Sequence, residues 1–470
     1  MVALHELGVS EAAHAIRTSA VTAEQLADAL LARAIANVGL GAFIALDPDR
    51  VRAAARAADR QRQSGAALGP LHGVPLVLKD NLDAAGFATT AGTPGLSENR
   101  PTRDAPIVAK LVAAGAVVLG KCNMHELAFG ITSNNTAFGP ARNPYAPDRI
   151  PGGSSGGTAV AVATRLAPGG IGTDTGGSVR IPAALCGIVG FRPTTGRWPQ
   201  AGIVPISRTR DTAGPMTRTV ADSALLDTVV TGEHHDAAPP PLDRLRIGVP
   251  RHPFWDNLDP ELGRICDAAL QRWAEAGVEL VELDLAEVMK LEEAAGFPIA
   301  LHEVVTDLDR YLAEHGCGLD FGALAERAAS PDVKAILQGL TGTGAMPEEV
   351  YRSALEIHRP ALQDLYRRHF RDHGLAAMAF PTTPAPAASV GEDETFILNG
   401  VSVPTFTTFI RNTSPGSVAG IPGLSLPAGR TESGLPVGIE IDGPEGSDRR
   451  LLTIGAALEA LLPRLDAPQL

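Results

Sequence analysis

The sequence GGIGTDTGGSVRIP, residues Gly169–Pro182, places a single serine, Ser178, behind two glycines in a run of mostly small residues. Successive backbone N–H groups with few side chains around them can converge on an anion, as in nests and oxyanion holes. A glycine-rich turn between a strand and a helix is the plainer interpretation. The threonines and aspartate in the same run, and Arg180 shortly after the serine, favour a catalytic loop.

Two upstream blocks supply partners for this serine. Ser154 lies in PGGSSGG, residues 151–157, and Lys79 ends the apolar run GVPLVLKD, residues 73–80. A serine hydroxyl needs a base within hydrogen-bond reach, and none of the twelve histidines lies in the glycine-rich blocks. A lysine can serve as this base if burial lowers its pKa, although a lysine at a strand end more often extends its amine into water.

Two further patterns suggest other chemistries and are rejected. GGSSG, residues 152–156, matches the G-x-S-x-G nucleophile elbow of α/β-hydrolases, which would use Ser154 and a histidine. That elbow follows a strand, whereas two prolines in residues 147–151 disfavour one. GAVVLGKC, residues 115–122, nearly matches a phosphate-binding P-loop, but Cys122 stands where a serine or threonine must hold magnesium.

Alternating strand and helix patterns predict an α/β protein, one large domain over residues 1–470 with a mixed central sheet covered by helices on both faces. Within it, we expect N-terminal helices in 1–65, a catalytic core in 66–235, a variable and mostly helical insertion in 236–375, and a return to the sheet in 376–470. A Pro-rich loop is predicted at 236–240. The predicted strands are VPLVLKD, AVVLGK, GIVGFRP, LRIGVP, VELVELDL, AAMAFPTTPAP, GIPGLSLPAG and LPVGIEIDGP.

Composition excludes several classes of protein. A net charge of −13 argues against a nucleic-acid-binding surface. No apolar run approaches the roughly 18 residues that a membrane span needs, and the N-terminus lacks the pattern of a signal peptide. The four cysteines are widely spaced, which indicates buried free thiols and no zinc site. We therefore expect a cytoplasmic protein that contacts neither nucleic acid nor membrane.

Several blocks together resemble the amidase signature family in order and spacing. They are GVPLVLKDN, GAVVLGKCNMHELAFG, PGGSSGG, GTDTGGSVRIPAALCGIVGFRPTTGR, DTAGPMTRT and, near the C-terminus, GIPGLSLPAG and GLPVGIEIDG. The resemblance covers nearly the whole chain and is weakest in 236–375. Within the family, NMHELAFGITSNN and FRPTTGRWPQAGIVPISRTRDTAGP look closest to bacterial indoleacetamide and mandelamide hydrolases. Cys122 and Thr158 depart from the family pattern without touching the catalytic set.

This resemblance implies a catalytic triad. Ser178 would be the nucleophile that forms an acyl-enzyme, and Ser154 would bridge it to Lys79, the neutral base. In the family the bridging serine follows a cis peptide bond, here Gly153–Ser154. The backbone N–H groups that would hold the oxyanion are those of Thr175, Gly176, Gly177 and Ser178. The residues that would orient the loop are Ser155, Thr173, Asp174 and Arg180. The resemblance implies no metal or organic cofactor.

The substrate is less constrained than the chemistry. In this family part of the pocket wall follows the GKCN block, here Ala128, Phe129, Gly130 and Ile131, with the helical insertion adding more; ordinary core packing explains these residues equally well. They carry no charge to pair with an amino acid, which favours a small uncharged aryl- or alkyl-bearing amide.

Two alternatives stay open, and the rejected α/β-hydrolase makes a contrasting prediction. The same triad would serve a carbamate or anilide hydrolase. The family also contains the glutaminase subunit of the tRNA-dependent amidotransferase, which works only with its partners. An α/β-hydrolase built on Ser154 would keep its activity without Ser178. A homodimer is compatible with the resemblance.

Overall fold

A central mixed sheet organises the computed structural model, which describes residues 3–234 and 241–469. Within these residues eleven strands form one sheet in the order β1-β3-β2-β4-β6-β5-β12-β13-β9-β7-β8, and β10 and β11 form a separate hairpin. The strands are β1 Phe43–Leu46, β2 Pro75–Lys79, β3 Val117–Cys122, β4 Gly169–Asp174, β5 Val189–Arg192, β6 Thr212–Thr217, β7 Arg246–Pro250, β8 Glu279–Asp284, β9 Ala377–Pro381, β10 Thr395–Leu398, β11 Val401–Pro404, β12 Gly423–Arg430 and β13 Pro436–Asp442.

Helices fill the connections between these strands. They are α1 Val9–Arg17, α2 Ala23–Ala36, α3 Pro48–Gln63, α4 Pro106–Ala113, α5 Gly156–Ala163, α6 Arg180–Cys186, α7 Val220–Thr231, α8 Arg251–Phe254, α9 Pro260–Glu275, α10 Val288–Glu314, α11 Phe321–Arg327, α12 Pro331–Gly339, α13 Glu348–Ser353, α14 Arg359–Asp372, α15 Thr405–Ile410, α16 Ser414–Ala419 and α17 Asp448–Glu459. Within residues 3–234 and 241–469, every helix is too short or too polar to span a lipid bilayer.

The predicted mixed sheet is confirmed, and helices cover both of its faces. Strand β2 runs parallel to β3 and β4, whereas β12 and β13 are antiparallel. On β13, a Cβ at Gly438 would lie 2.5 Å from Ala184 of α6, while the neighbouring Ile439 packs in the cluster that contains Trp273 of α9. Because successive strand residues point to opposite faces, α6 and α9 lie on opposite sides of the sheet.

Local signals in the sequence place several element ends correctly. Thr22 accepts from the backbone N–H of Gln25 at 3.0 Å, and the Gln25 side chain accepts from the Thr22 N–H, so the predicted capping box opens α2. Asp259 caps α9 ahead of its first-turn proline. All eight predicted strands are present, but β1, β4, β6, β10 and β11 are not among the predictions. Strand β6 carries two threonines, a glycine and a proline.

Two segments contribute more to the sheet than their sequences suggest. The mostly helical 1–65 segment supplies β1, which pairs with β3. The first half of 236–375, expected to be an insertion, supplies β7 and β8, which extend the sheet beyond β9. The helical insertion proper is therefore α10 to α14. The loop predicted at 236–240 lies outside the described residues.

The four cysteines are free, as expected from their spacing. Cys122, Cys186 and Cys266 are buried, and burial raises the pKa of all three thiols. Cys317 is only partly buried, because it follows the C-terminal end of α10 near the protein surface.

Candidate active site

Lys79 is the last residue of β2, an inner strand of the sheet, and its side chain is buried. Its side chain is 0% exposed, and Nζ lies 2.7 Å from Ser154 Oγ and 2.8 Å from Thr173 Oγ1. Burial lowers the pKa of Lys79 to about 7, although the negative charges of Asp174 and Asp211 act to raise it. Asn81 Nδ2 donates to the same Thr173 hydroxyl at 3.0 Å, which fixes the threonine. A lysine in this setting can accept a proton near neutral pH.

The two serine blocks meet beside this lysine. Ser154 precedes α5, and the peptide bond between Gly153 and Ser154 is cis. Ser155 donates its N–H to the Ser178 carbonyl at 3.2 Å and its hydroxyl to the Thr173 carbonyl at 3.2 Å. These bonds connect the loop of Ser154 to the loop of Ser178, although the two are far apart in the sequence.

Ser178 lies in the turn between β4 and α6 and is half-buried at the wall of a cavity. Among the described residues, no hydrogen bond joins Ser178 Oγ to Ser154 Oγ, whose partner is Lys79. Catalytic hydrogen bonds are often long in the free enzyme and shorten when the substrate binds. The structure thus brings the three predicted triad residues to one site and joins two of them directly.

Asp174 organises the loop that carries Ser178. Its carboxylate accepts from Arg180 Nε at 3.1 Å, from Arg192 Nη1 at 3.0 Å and from the N–H groups of Gly177 and Val179. Burial alone would raise the pKa of this carboxyl, but the two guanidinium groups hold it well below its usual range. Arg192 is a partner that sequence reasoning missed, because it lies on a different strand, β5.

The backbone of this loop departs from the expected oxyanion hole at one residue. The Gly177 N–H donates to Asp174 Oδ1 at 2.8 Å and is therefore not available to a substrate. Within the described residues, the N–H groups of Thr175, Gly176 and Ser178 have no protein acceptor. Gly177 has φ of +138°, a left-handed conformation that favours glycine.

Asp211, a residue that the sequence analysis did not single out, supports the same loop from the position just before β6. Its carboxylate accepts from the Thr175 hydroxyl at 2.6 Å and from the N–H groups of Ile206 and Ser207. Burial raises the pKa of Asp211 to about 6 despite these hydrogen bonds. The side chain of Thr175 is thereby fixed with its backbone N–H beside the cavity.

A cavity of about 210 Å³ opens at Ser178. Its lining includes all four residues proposed for the pocket wall, together with parts of the helical insertion. The lining residues are Ala128, Phe129, Gly130, Ile131, Thr175, Gly176, Ser178, Ile206, Arg210, Glu292, Phe297, Ala300, Leu301, Ile336, Phe406, Ile410 and Ser414. The expectation of an uncharged wall is wrong in one respect, because Arg210 and Glu292 also face this cavity. Arg210 comes from a loop before β6, and Glu292 comes from α10, the first helix of the insertion that was expected to add to the wall.

The rejected alternatives find no support in the geometry. Residues 147–151 form no strand before Ser154, as a nucleophile elbow would require. Residues 117–122, the body of the near P-loop, are strand β3. His125 is the histidine nearest to Ser154 in the sequence, and its ring is hydrogen-bonded to Asp332 and Thr132. Within residues 3–234 and 241–469, no three His, Cys, Asp or Glu side chains are placed to hold a metal ion.

Comparison with known proteins identifies the family of this chain. A family model described as Amidase matches residues 25–452. An indoleacetamide hydrolase from Agrobacterium vitis is 46% identical over 93% of this chain and 92% of its own length. A mandelamide hydrolase from Pseudomonas putida is 41% identical over 99% of this chain and 93% of its own. The structure of a peptide amidase from Stenotrophomonas maltophilia superimposes with a TM-score of 0.86 at 31% identity, covering 99% of this chain and 98% of that one. The chain therefore belongs to the amidase family, and it is a hydrolase of carbon–nitrogen bonds in amides.

Proposed function

We propose that this protein is a serine amidohydrolase that cleaves a small, uncharged, aryl- or alkyl-bearing amide into a carboxylic acid and ammonia or an amine. The observation that carries the proposal is the buried Lys79 Nζ, 2.7 Å from Ser154 Oγ, next to a mostly apolar cavity lined by Ser178. In this proposal Ser178 is the nucleophile, Ser154 relays protons and Lys79 is the general base.

The acylation step begins with proton transfer. The Ser178 hydroxyl gives its proton to Ser154 Oγ, which passes its own proton to neutral Lys79, while Ser178 Oγ bonds to the amide carbon. The carbonyl electrons move to the oxygen, which the N–H groups of Thr175, Gly176 and Ser178 stabilise. The C–N bond then breaks as the leaving nitrogen takes a proton back from Lys79 through Ser154.

Deacylation uses the same relay with water as the nucleophile. Water gives a proton through Ser154 to Lys79 as it attacks the acyl ester of Ser178. The bond from the acyl carbon to Ser178 Oγ breaks, and the serine oxygen recovers that proton. The carboxylic acid leaves and neutral Lys79 is restored, so no other reactant is consumed.

The cavity walls support an aryl substrate. Phe129, Phe297, Leu301 and Phe406 are among the side chains that line it, and apolar surface favours an uncharged ring or alkyl group. The names of the most similar relatives, indoleacetamide hydrolase and mandelamide hydrolase, point to the same class of arylacetic amides. A carbamate or anilide would fit the same catalytic groups, since only the acyl and leaving groups differ.

Replacing the nucleophile tests the proposal directly. We expect the purified chain to hydrolyse at least one of phenylacetamide, mandelamide and indole-3-acetamide, and Ser178→Ala to remove that activity by roughly 10⁴-fold or more. The panel includes glutamine, an anilide and an aryl carbamate, and Ser97→Ala, at an exposed serine, is the control. Mass spectrometry of the quenched wild-type reaction should find the acyl group on Ser178. Activity that survives in Ser178→Ala, or turnover of glutamine alone, would overturn the proposal.

The pH dependence of the rate tests the role of Lys79. Because the base must be neutral, kcat/KM should fall about tenfold per pH unit below the Lys79 pKa of about 7 and level off above it. Asp211→Asn is the matched variant. The Asp211 carboxylate raises the pKa of Lys79, so removing its charge should move the midpoint of the pH–rate profile to lower pH. Initial rates on phenylacetamide from pH 5 to 10 measure both, and a profile that declines above neutrality contradicts a neutral lysine.

A further inference from the structure

One polar strip interrupts the apolar cavity beside Ser178. It consists of Arg210, Ser414 and Glu292, which come from three different elements and all line the cavity. Glu292, Phe297 and Ala300 all belong to α10 and all line the cavity, so the carboxylate shares the wall with apolar side chains. A carboxylate in such a wall needs a hydrogen-bond partner, because a buried charge without one is costly.

Hydrogen bonds along the strip run in one direction. Arg210 Nη2 donates to Ser414 Oγ at 3.5 Å, and Ser414 Oγ donates to Glu292 Oε1 at 2.5 Å. Arg210 Nη1 is taken by the Gly296 carbonyl at 2.6 Å, and its Nε is sealed from solvent. Glu292 is thus the accepting end of the strip, and each terminal nitrogen of Arg210 donates one hydrogen bond to a protein oxygen.

The second carboxylate oxygen of Glu292 has no such engagement. Among the described residues, no protein group donates a hydrogen bond to Oε2 of Glu292. This oxygen is also not fully buried. The strip also lies close to the reacting atoms, since a Cβ at Gly176 would be 3.5 Å from Arg210 Nη2. A bound acyl group that fills the cavity from Ser178 therefore lies beside Glu292 Oε2, an acceptor without a protein donor.

We propose that Glu292 selects substrates, by accepting a hydrogen bond from an N–H or O–H donor on the aryl ring of the acyl group. This inference rests on the proposed function and narrows its substrate class to arylacetamides whose ring carries a donor, such as an indole N–H. An isosteric ring without a donor leaves the carboxylate facing an apolar group, and sites of this kind discriminate strongly against analogues that lack the bonding group.

The test compares indole-3-acetamide with 1-benzothiophene-3-acetamide, in which sulfur replaces the ring N–H at similar size. A hydrogen bond to a charged acceptor predicts a kcat/KM ratio of roughly 10–100 in favour of the indole for the wild type. In Glu292→Met the ratio should fall to within about threefold of one. Glu293→Met, at the exposed neighbouring carboxylate, should keep the wild-type ratio. Calorimetric Kd values of both amides for Ser178→Ala should show the same preference.

The outcomes separate this inference from the proposed function. Turnover of phenylacetamide combined with equal kcat/KM for the two bicyclic amides, or a preference that persists in Glu292→Met, overturns the role of Glu292 and leaves the amidase proposal intact. If the wild type hydrolyses none of phenylacetamide, mandelamide and indole-3-acetamide, the proposed function is overturned, and this inference with it. Because each ratio is measured within one protein, partial loss of folded Glu292→Met does not alter it.

Discussion

Lys79→Met is expected to remove hydrolysis by roughly 10⁴–10⁶-fold and, in the same protein, to raise the free energy of unfolding at pH 7. The activity should fall because, in the proposed mechanism, Lys79 is the group that takes the proton of Ser154. The stability rises because the folded chain holds a lysine whose pKa is lowered from 10.5 to about 7 by burial. At about 1.4 kcal/mol per pKa unit, that shift costs the folded state roughly 4–5 kcal/mol when the lysine is protonated.

Lost hydrogen bonds reduce this gain. Lys79 donates to the hydroxyls of Ser154 and Thr173, and each such bond contributes about 1 kcal/mol. We therefore expect a net gain of about 1–3 kcal/mol at pH 7. Between pH 7 and 10.5 the unfolded chain binds more protons than the folded one, so wild-type stability increases with pH and the advantage of the variant shrinks. Urea unfolding at pH 7 and pH 9.5 measures the difference.

Lys121→Met is the matched control, because Lys121 is the other lysine with 0% exposure near the site. Its Nζ lies 3.1 Å from Asp80 Oδ1, so removing the lysine leaves a buried carboxylate without its cation. Breaking such a pair typically costs about 3–5 kcal/mol. The two substitutions should change stability in opposite directions, and a loss of stability in Lys79→Met of the size seen in Lys121→Met would show that Lys79 is a structural cation.

Asp174→Asn is expected to lower the free energy of unfolding by about 3–5 kcal/mol and to lower kcat/KM by at least 10²-fold. The substitution removes the carboxylate that faces Arg180 and Arg192 and accepts the N–H groups of Gly177 and Val179. Arg180 would keep Glu440 as an ion-pair partner, whereas Arg192 would lose the carboxylate with which it is paired. The loop of Ser178 would also lose the carboxylate that accepts its N–H groups.

Asp222→Asn provides the comparison for this effect. Asp222 is also buried, but it accepts from the N–H groups of Val9 and Ser10 and from the Ser10 hydroxyl, far from the cavity. An amide oxygen can replace much of this bonding, so we expect a loss of about 1–2 kcal/mol and unchanged kcat/KM. Equal losses of stability and activity in the two variants would show that Asp174 has no special role in the loop. Thermal unfolding and phenylacetamide kinetics at 20 °C measure both properties.

The sequence by itself determined the family, the alternation of strands and helices, and the three residues of the proposed triad. These features depend on local signals: an apolar run that ends at Lys79, and glycine-rich loops around Ser154 and Ser178 that need small residues at fixed spacing. The same locality explains the errors. Strand β6 carries Gly and Pro and has no strand pattern, and β7 and β8 join the sheet through pairing with distant β9.

Tertiary structure alone decided which side chains complete the site. Ser414 and Glu292 are separated by 122 residues and share a hydrogen bond, Arg210 reaches Ser414 from 204 residues away, and Asp211 fixes Thr175 across 36 residues. No periodicity or spacing encodes such contacts, because they depend on how α10 and α16 pack over the sheet. The commitment of the Gly177 N–H to Asp174 is likewise set by the folded loop. The proposed chemistry therefore rests on local sequence, whereas the charge in the cavity beside Ser178 comes from packing between segments that are remote in the chain.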